Sequence, residues 1–164
     1  MPRVYLGIGS NIEREANIRS AVQKLTERHG PLTLSSVYES SSVGFTGENF
    51  YNLVTGFDTD TPVERLIDDL HAIEQAHGRQ RSGQRYEPRT LDLDVLLYGD
   101  LVRHDQRVDV PRREILEYAF VLQPLADIAP GHIHPETNQS ILTHWNELRS
   151  RTVPLARTGF DPLE

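Results

Sequence analysis

An α+β fold built on a split β-α-β core is what this 164-residue sequence predicts. The observations behind it are the spacing and the order of its apolar residues. They alternate with period two in some stretches and recur at helical spacing in others, and the two patterns follow one another as strand, helix, strand, strand, helix, strand before residue 98. That order is the ferredoxin-like arrangement, with helices packed on one face of a sheet. The C-terminal third is expected to add helices and strands as a partial second layer, and residues 1–164 are expected to form a single domain.

Val4, Leu6 and Ile8 alternate through residues 3 to 9 before Gly9, Ser10 and Asn11 turn the chain. From about 14 to 28, Ile18, Val22 and Leu25 share a helical face, and His29-Gly30-Pro31 is a stop of the glycine-then-proline kind. Residues 32 to 38 and 50 to 57 are β-rich and read as a hairpin-like pair with a long connection. Thr61-Pro62-Val63-Glu64 has the pattern of a capping box with proline at the first helical position, and Val63, Leu66, Leu70 and Ile73 then mark one face until Gly78. A strand over 91 to 98 ends at Gly99-Asp100, and short helices are predicted over 112 to 119 and 139 to 148.

Composition narrows the function. No run approaches the roughly 18 apolar residues of a membrane span, and the chain enters its first strand without the apolar core of a signal peptide. A cytoplasmic protein with no membrane partner is expected. Zero cysteines exclude a disulfide framework, a thiol nucleophile and a zinc-thiolate site. A net charge of -7 argues against nucleic acid as a partner. Arginine is nevertheless concentrated at Arg79, Arg81, Arg85, Arg89, Arg103, Arg107, Arg112 and Arg113. Guanidinium forks match phosphate oxygens, so this stretch reads either as the wall of a polyphosphate site or as a solvated charged surface.

Residues two apart in a strand share a face, about 7 Å apart along the chain, so Asp92 and Asp94 project together. Three chemistries suit such a pair: a shared hard cation such as magnesium, a general acid and base, or a solvated strand edge. The His132-x-His134 pair lacks a nearby acid or thiol partner and reads as a surface loop.

The setting of the aspartates is more specific. Gly78-Arg79-Gln80-Arg81, followed by Pro88-Arg89-Thr90-Leu91-Asp92-Leu93-Asp94-Val95-Leu96-Leu97-Tyr98-Gly99, resembles the hydroxymethyl-dihydropterin pyrophosphokinases of folate biosynthesis. The likeness runs from Leu6-Gly7-Ile8-Gly9-Ser10-Asn11 through Phe50-Tyr51-Asn52 and Ile73-Glu74 to Phe120-Val121-Leu122-Gln123-Pro124-Leu125 and Ile128-Ala129-Pro130. It implies a monomeric ferredoxin-like enzyme that uses two Mg2+ ions to move the β,γ-pyrophosphoryl group of ATP to a hydroxymethyl-dihydropterin, releasing AMP. By position it implies Asp92 and Asp94 as metal ligands, forming the catalytic group with Arg79 and Arg89. Glu74, Arg79, Arg81, Arg89, Val95 and Arg107 would meet ATP, and Ser40, Val43, Phe50, Asn52, Tyr86 and Phe120 would meet the pterin. Two aromatic rings suit a flat heterocycle, and an asparagine amide offers donor and acceptor to its edge. From the residues alone, Glu74 reads equally as a salt-bridged helix residue, and Phe50 and Phe120 as core.

Some positions depart from the family pattern. Ser40-Ser41-Ser42 stands for Thr-Pro-Pro, Tyr86-Glu87 for Trp-Gly, Arg112 for histidine and Tyr118 for arginine. They leave a second expectation, a non-catalytic or substrate-shifted paralogue that binds pterin or nucleotide. A palm-type nucleotidyl transferase ranks below both, because its first strand would ordinarily carry an acid and Val4-Tyr5-Leu6-Gly7-Ile8 has none.

Overall fold

In the computed structural model, which describes residues 1–41, 48–78 and 91–164, the elements in chain order are β1 (Arg3–Ser10), α1 (Arg14–His29), β2 (Thr33–Leu34), β3 (Tyr38–Ser40), β4 (Phe50–Asp58), α2 (Val63–Ala76), β5 (Asp92–Tyr98), β6 (Arg103–His104), β7 (Asp109–Val110), α3 (Glu114–Glu117), α4 (Ala119–Ile128), α5 (Ile141–Arg149) and β8 (Ala156–Arg157). The main sheet runs β5-β1-β4-β3-β8, with β2 also on β4, and its ladders are antiparallel. The result is a mixed α/β architecture with helices against both sheet faces.

Alternation sorts the side chains. Val4, Leu6 and Ile8 of β1, Leu53 and Phe57 of β4, and Leu93 and Val95 of β5, together with Leu91 just before it, join Ile18, Val22 and Leu25 of α1 and Leu66, Leu70 and Ile73 of α2 in one core. The opposite face contributes Tyr5, Val54, Leu96 and Leu97 to a second core with Ile115, Val121, Leu122, Leu125, Ile141 and Trp145. The expected partial second layer is therefore formed by α3, α4 and α5. Consecutive Leu96 and Leu97 both reach it because the register steps from Tyr5↔Leu97 to Leu6↔Val95, leaving Leu96 as an extra residue in β5.

Three sequence expectations need correction. The strand expected over 32 to 38 is two short ladders, because Leu34 faces Thr55 while Tyr38 faces Asn52, four steps against three. Ser35 bridges the slip, donating its N–H to the Val54 carbonyl and accepting the Val54 N–H on its hydroxyl. The capping box at Thr61 is not formed: α2 begins at Val63, Pro62 is the N-cap residue in extended conformation, and no side chain caps it. Thr61 instead donates its N–H to the Thr59 hydroxyl and accepts from the Tyr98 hydroxyl on its carbonyl.

The helix expected over 112 to 119 is the third correction. Tyr118 is extended, ends α3, and accepts the Leu122 N–H on its carbonyl as α4 begins. Pro124 lies inside α4, where it lacks an N–H for the helix ladder. Burial of Val121, Leu122 and Leu125 outweighs that loss. The helix over 139 to 148 is present, with Ser140 as its N-cap, its hydroxyl accepting the Thr143 N–H.

Leu66 is fully buried between α2 and the sheet. Truncation of Leu66 to alanine should cost about 2–5 kcal/mol, read as a lower urea midpoint at unchanged slope.

Candidate active site

The face that carries the second core is only partly covered. Its apolar packing starts at Val54 and Leu96, and one rung further along the sheet the side chains turn polar. Asp92 and Asp94 share this face of β5, because the flanking Leu91, Leu93 and Val95 point into the core beneath α1 and α2. Across β1 their Cα partners are glycines, Gly9 opposite Asp92 and Gly7 opposite Asp94. A Cβ at Gly7 would only touch Leu96, at 3.5 Å, whereas one at Gly9 would meet Asn52 Oδ1 at 3.2 Å and Phe50 at 3.9 Å. Gly9 thus keeps clear a strip of bare backbone between the carboxylates and the β4 side chains.

On the far side of that strip stand the residues expected at the pterin. Asn52 is buried and donates Nδ2–H to Ser40 Oγ at 2.7 Å, and Ser40 and Phe50 are Cα partners. The structure therefore brings Ser40, Phe50 and Asn52 together across the glycine strip from Asp92 and Asp94. Phe120 begins α4, is 39% exposed, and stacks on Tyr118 with ring centroids 5.1 Å apart. It is not a core phenylalanine.

Beyond the other edge of β5 a cleft of about 180 Å³ opens, lined by Leu70 of α2, Asp94 and Val95 of β5, Arg107 from the turn between β6 and β7, and Arg112. Val95 and Arg107, both expected at ATP, meet here. Arg107 is held by Asp68 Oδ2 at 2.8 Å and by the Glu64 carbonyl at 3.2 Å. Asp105 shapes that turn, accepting the N–H groups of Arg107 and Val108 and pairing with Arg103. The Arg103 guanidinium, helped by those N–H groups, holds the Asp105 carboxyl down to about 2.

Glu74 sits on the last turn of α2, 1% exposed, and its Oε2 accepts the Leu93 N–H at 2.8 Å. It is a buried brace on the edge strand, at the residue between the two aspartates. Arg112, left out of the sequence-derived site, places Nη1 3.9 Å from Asp94 Oδ1 and donates Nε–H to Glu114 at 3.0 Å. Its pairing with Asp94 and Glu114 raises its pKa against the opposing pull of burial. Its place in the arginine-rich stretch and its departure from the family's histidine were the signals the sequence offered for it. Gly7 and Gly9 did carry a signal, since both fall on one face of a period-two strand.

The expected residues Val43, Arg79, Arg81, Tyr86 and Arg89, and the departures at Ser42 and Glu87, lie outside the described residues. His134 is a correction to the surface-loop reading: it is 2% exposed and accepts the N–H groups of Glu136 and Thr137 on Nδ1. Two carboxylates on one face of a strand are oxygen donors of the kind magnesium takes, and that ion draws the rest of its shell from phosphate and water oxygens. The residues fit that ion. Among the described residues no helix is long and apolar enough to cross a membrane.

Residues 5–130 match the model of the 7,8-dihydro-6-hydroxymethylpterin-pyrophosphokinase family. A 2-amino-4-hydroxy-6-hydroxymethyldihydropteridine pyrophosphokinase from Methylorubrum extorquens is 39% identical over 134 residues, 79% of this chain and 84% of that one. The enzyme of the same name from Pseudomonas aeruginosa is 40% identical over 133 residues, 78% and 81%. A folic acid synthesis protein of Pneumocystis carinii is 33% identical over 148 residues, and there this chain spans 20% of the relative's length. Among solved structures, a wild-type HPPK-DHPS of Plasmodium falciparum superposes with a TM-score of 0.67 at 15% identity, over 92% of this chain and 44% of that one. At that identity the likeness speaks for the fold alone.

Glu74→Ala leaves a buried amide without its acceptor and should cost about 1–3 kcal/mol, with faster hydrogen exchange at the Leu93 N–H, whereas Glu74→Gln keeps an acceptor and most of the protection. His104 bridges the β6–β7 hairpin to the loop between α4 and α5, with Nδ1 2.6 Å from Asp109 and Nε2 3.1 Å from Glu136. Asp109 and then Glu136 raise its pKa above the usual 6.5. The stabilisation from that bridge should be complete below 6.5 and fade as pH rises through the elevated value. An NMR titration should place the His104 midpoint above 6.5 in the unaltered protein and lower in Asp109→Asn.

Proposed function

This chain belongs to the 7,8-dihydro-6-hydroxymethylpterin-pyrophosphokinase family, and from that premise we propose that it transfers pyrophosphate from ATP to the hydroxymethyl group of a dihydropterin and releases AMP. One observation carries the reading. Asp92 and Asp94 lie on one face of an edge strand with a glycine opposite each, between the Leu70–Val95 cleft and the Ser40–Asn52 pair. A two-substrate transfer needs two binding regions that meet at one charged centre, and the placement of the cleft and of the Ser40–Asn52 pair on either side of the aspartates supports that reading.

We assign the cleft to ATP, with Val95 and Arg107 along it, and Arg79, Arg81 and Arg89 to the phosphates on the strength of the sequence motif. Glu74 serves the nucleotide side through β5, whose Leu93 amide it holds. The pterin falls to Ser40, Phe50 and Asn52, with Phe120 as the second ring and Val43 and Tyr86 as further contacts. Asp92 and Asp94 would hold two Mg2+ ions. What magnesium supplies there is neutralisation of the phosphate oxygens and a lower pKa for the pterin hydroxyl.

The protein's own part is positional. Asn52 and Ser40 fix the heterocycle's edge, the aromatic rings fix its plane, and the arginines stabilise charge on the oxygens as it builds. The pterin oxygen attacks the β-phosphorus in line, the bond from that phosphorus to the α,β-bridging oxygen breaks, and the bridging oxygen leaves with AMP. Of the catalytic group, Arg79 and Arg89 carry this charge stabilisation. No side chain needs to act as a nucleophile.

The sheet order β5-β1-β4-β3 with α1 and α2 on one face supports describing the core as ferredoxin-like. We further propose one domain across residues 1–164, a monomer, acting in the cytoplasm where its nucleotide is supplied. The non-catalytic alternative is not favoured, because relatives that carry the enzyme's name match over most of their length.

The test is direct. Protein incubated with ATP, Mg2+ and 6-hydroxymethyl-7,8-dihydropterin should form AMP and the pterin pyrophosphate in equal amounts, and pterin binding with no AMP would return the non-catalytic reading. Asp94→Ala should lower turnover by roughly a hundredfold or more while unfolding stays cooperative, since only a metal ligand is removed.

A further inference from the structure

Arg14 opens α1 on the face of the sheet opposite Asp92 and Asp94, and four groups converge on its guanidinium. Nη1 donates to the Asn49 carbonyl at 2.7 Å and to Glu39 Oε2 at 3.1 Å. Nε lies 3.3 Å from Glu48 Oε2, and the guanidinium carbon sits 3.9 Å from the centroid of the Tyr51 ring. A planar fork that pairs at its edge and stacks on its face can satisfy all of these at once, which a lysine ammonium cannot.

The position of these partners gives the contact its meaning. Glu39 and Tyr51 are Cα partners in the β3–β4 ladder, and the rungs on either side pair Ser40 with Phe50 and Tyr38 with Asn52. Side chains alternate between faces. Arg14 therefore grips, from behind, the rung between the two that present Ser40, Phe50 and Asn52 in front. Ion pairs this accessible contribute little to global stability. Holding two neighbouring strands at one rung, however, fixes the separation of Ser40 Oγ and Asn52 Nδ2 and the place of the Phe50 ring.

We infer that Arg14 is a positioning residue for the pterin pocket, setting Ser40, Phe50 and Asn52 from the rear of the sheet. The inference rests on the assignment of that pocket made above. Arg14 itself touches no substrate, so its removal should act on the pterin and spare the nucleotide.

Steady-state kinetics and thermal unfolding of the unaltered protein, Arg14→Gln, Arg14→Lys and Glu48→Gln test it. Arg14→Gln should raise KM for the pterin about tenfold, with kcat and KM for ATP held within about twofold. Arg14→Lys should fall between, since it keeps charge but loses the fork and the stack. Glu48→Gln, which removes one partner only, should raise the pterin KM by about twofold. If Arg14→Gln does not fold, the other two variants carry the same comparison. A folded set with lower Tm and unchanged pterin KM would make Arg14 merely structural and overturn the inference, as would equal rises in both KM values. Failure of the unaltered protein to bind or turn over pterin would remove the pocket assignment itself, and that result is read before any substitution is made.

Discussion

Period-two alternation along β1 and β5 is the constraint on which the site depends. Val4, Leu6, Ile8, Leu93 and Val95 have to meet α1 and α2, so Gly7, Gly9, Asp92 and Asp94 have to face the other way. A slip of one residue in β5 would exchange the two sets, placing carboxylates in an apolar layer and leucines in water. Burying two such charges without partners costs far more than the fold can supply. The hydrophobic core and the anionic centre are thus two consequences of one register.

Which part of the polar face stays open is decided by the second layer. The helices α3, α4 and α5 cover Tyr5, Val54, Leu96 and Leu97 and stop there. The extra residue at Leu96 lets two consecutive side chains of β5 join that layer, so the apolar cover ends abruptly beside Asp94. Gly9 then leaves bare backbone between the aspartates and Asn52, where any side chain would crowd Asn52 and Phe50. Across that strip of sheet two carboxylates stand on one side and an amide, a hydroxyl and an aromatic ring on the other.

Polar contacts hold this arrangement at its edges. Glu74 accepts the Leu93 N–H and so satisfies a buried amide of β5 at the residue between the two aspartates. Arg112 lies near Asp94 and is itself oriented by Glu114. The β6–β7 hairpin is organised by Asp105 and tied to α2 through Arg107 and Asp68, which sets one wall of the cleft beside β5. On the rear face Arg14 joins β3 to β4.

Local pattern alone determined α1 and α2, the strands at 3 to 9, 50 to 57 and 91 to 98, the common face of Asp92 and Asp94, and the family through the string around Arg89. Each of these depends on neighbours a few residues away, whose spacing is the signal itself. The sequence misled where distant partners overrode local preference: the helix expected over 112 to 119 breaks at Tyr118, and α4 follows it because Val121, Leu122 and Leu125 pack against the sheet, while Thr61 looked like a cap although its groups serve Thr59 and Tyr98. Glu74 was expected at ATP, but its brace on Leu93 and the structural roles of Arg112 and Arg14 were not legible, since their partners lie well away in the chain or face them only once the strands are paired. Tertiary structure decided those roles, because a carboxylate or guanidinium is satisfied by whatever the fold brings within hydrogen-bond reach, and only the assembled sheet and its two helical layers determine what that is.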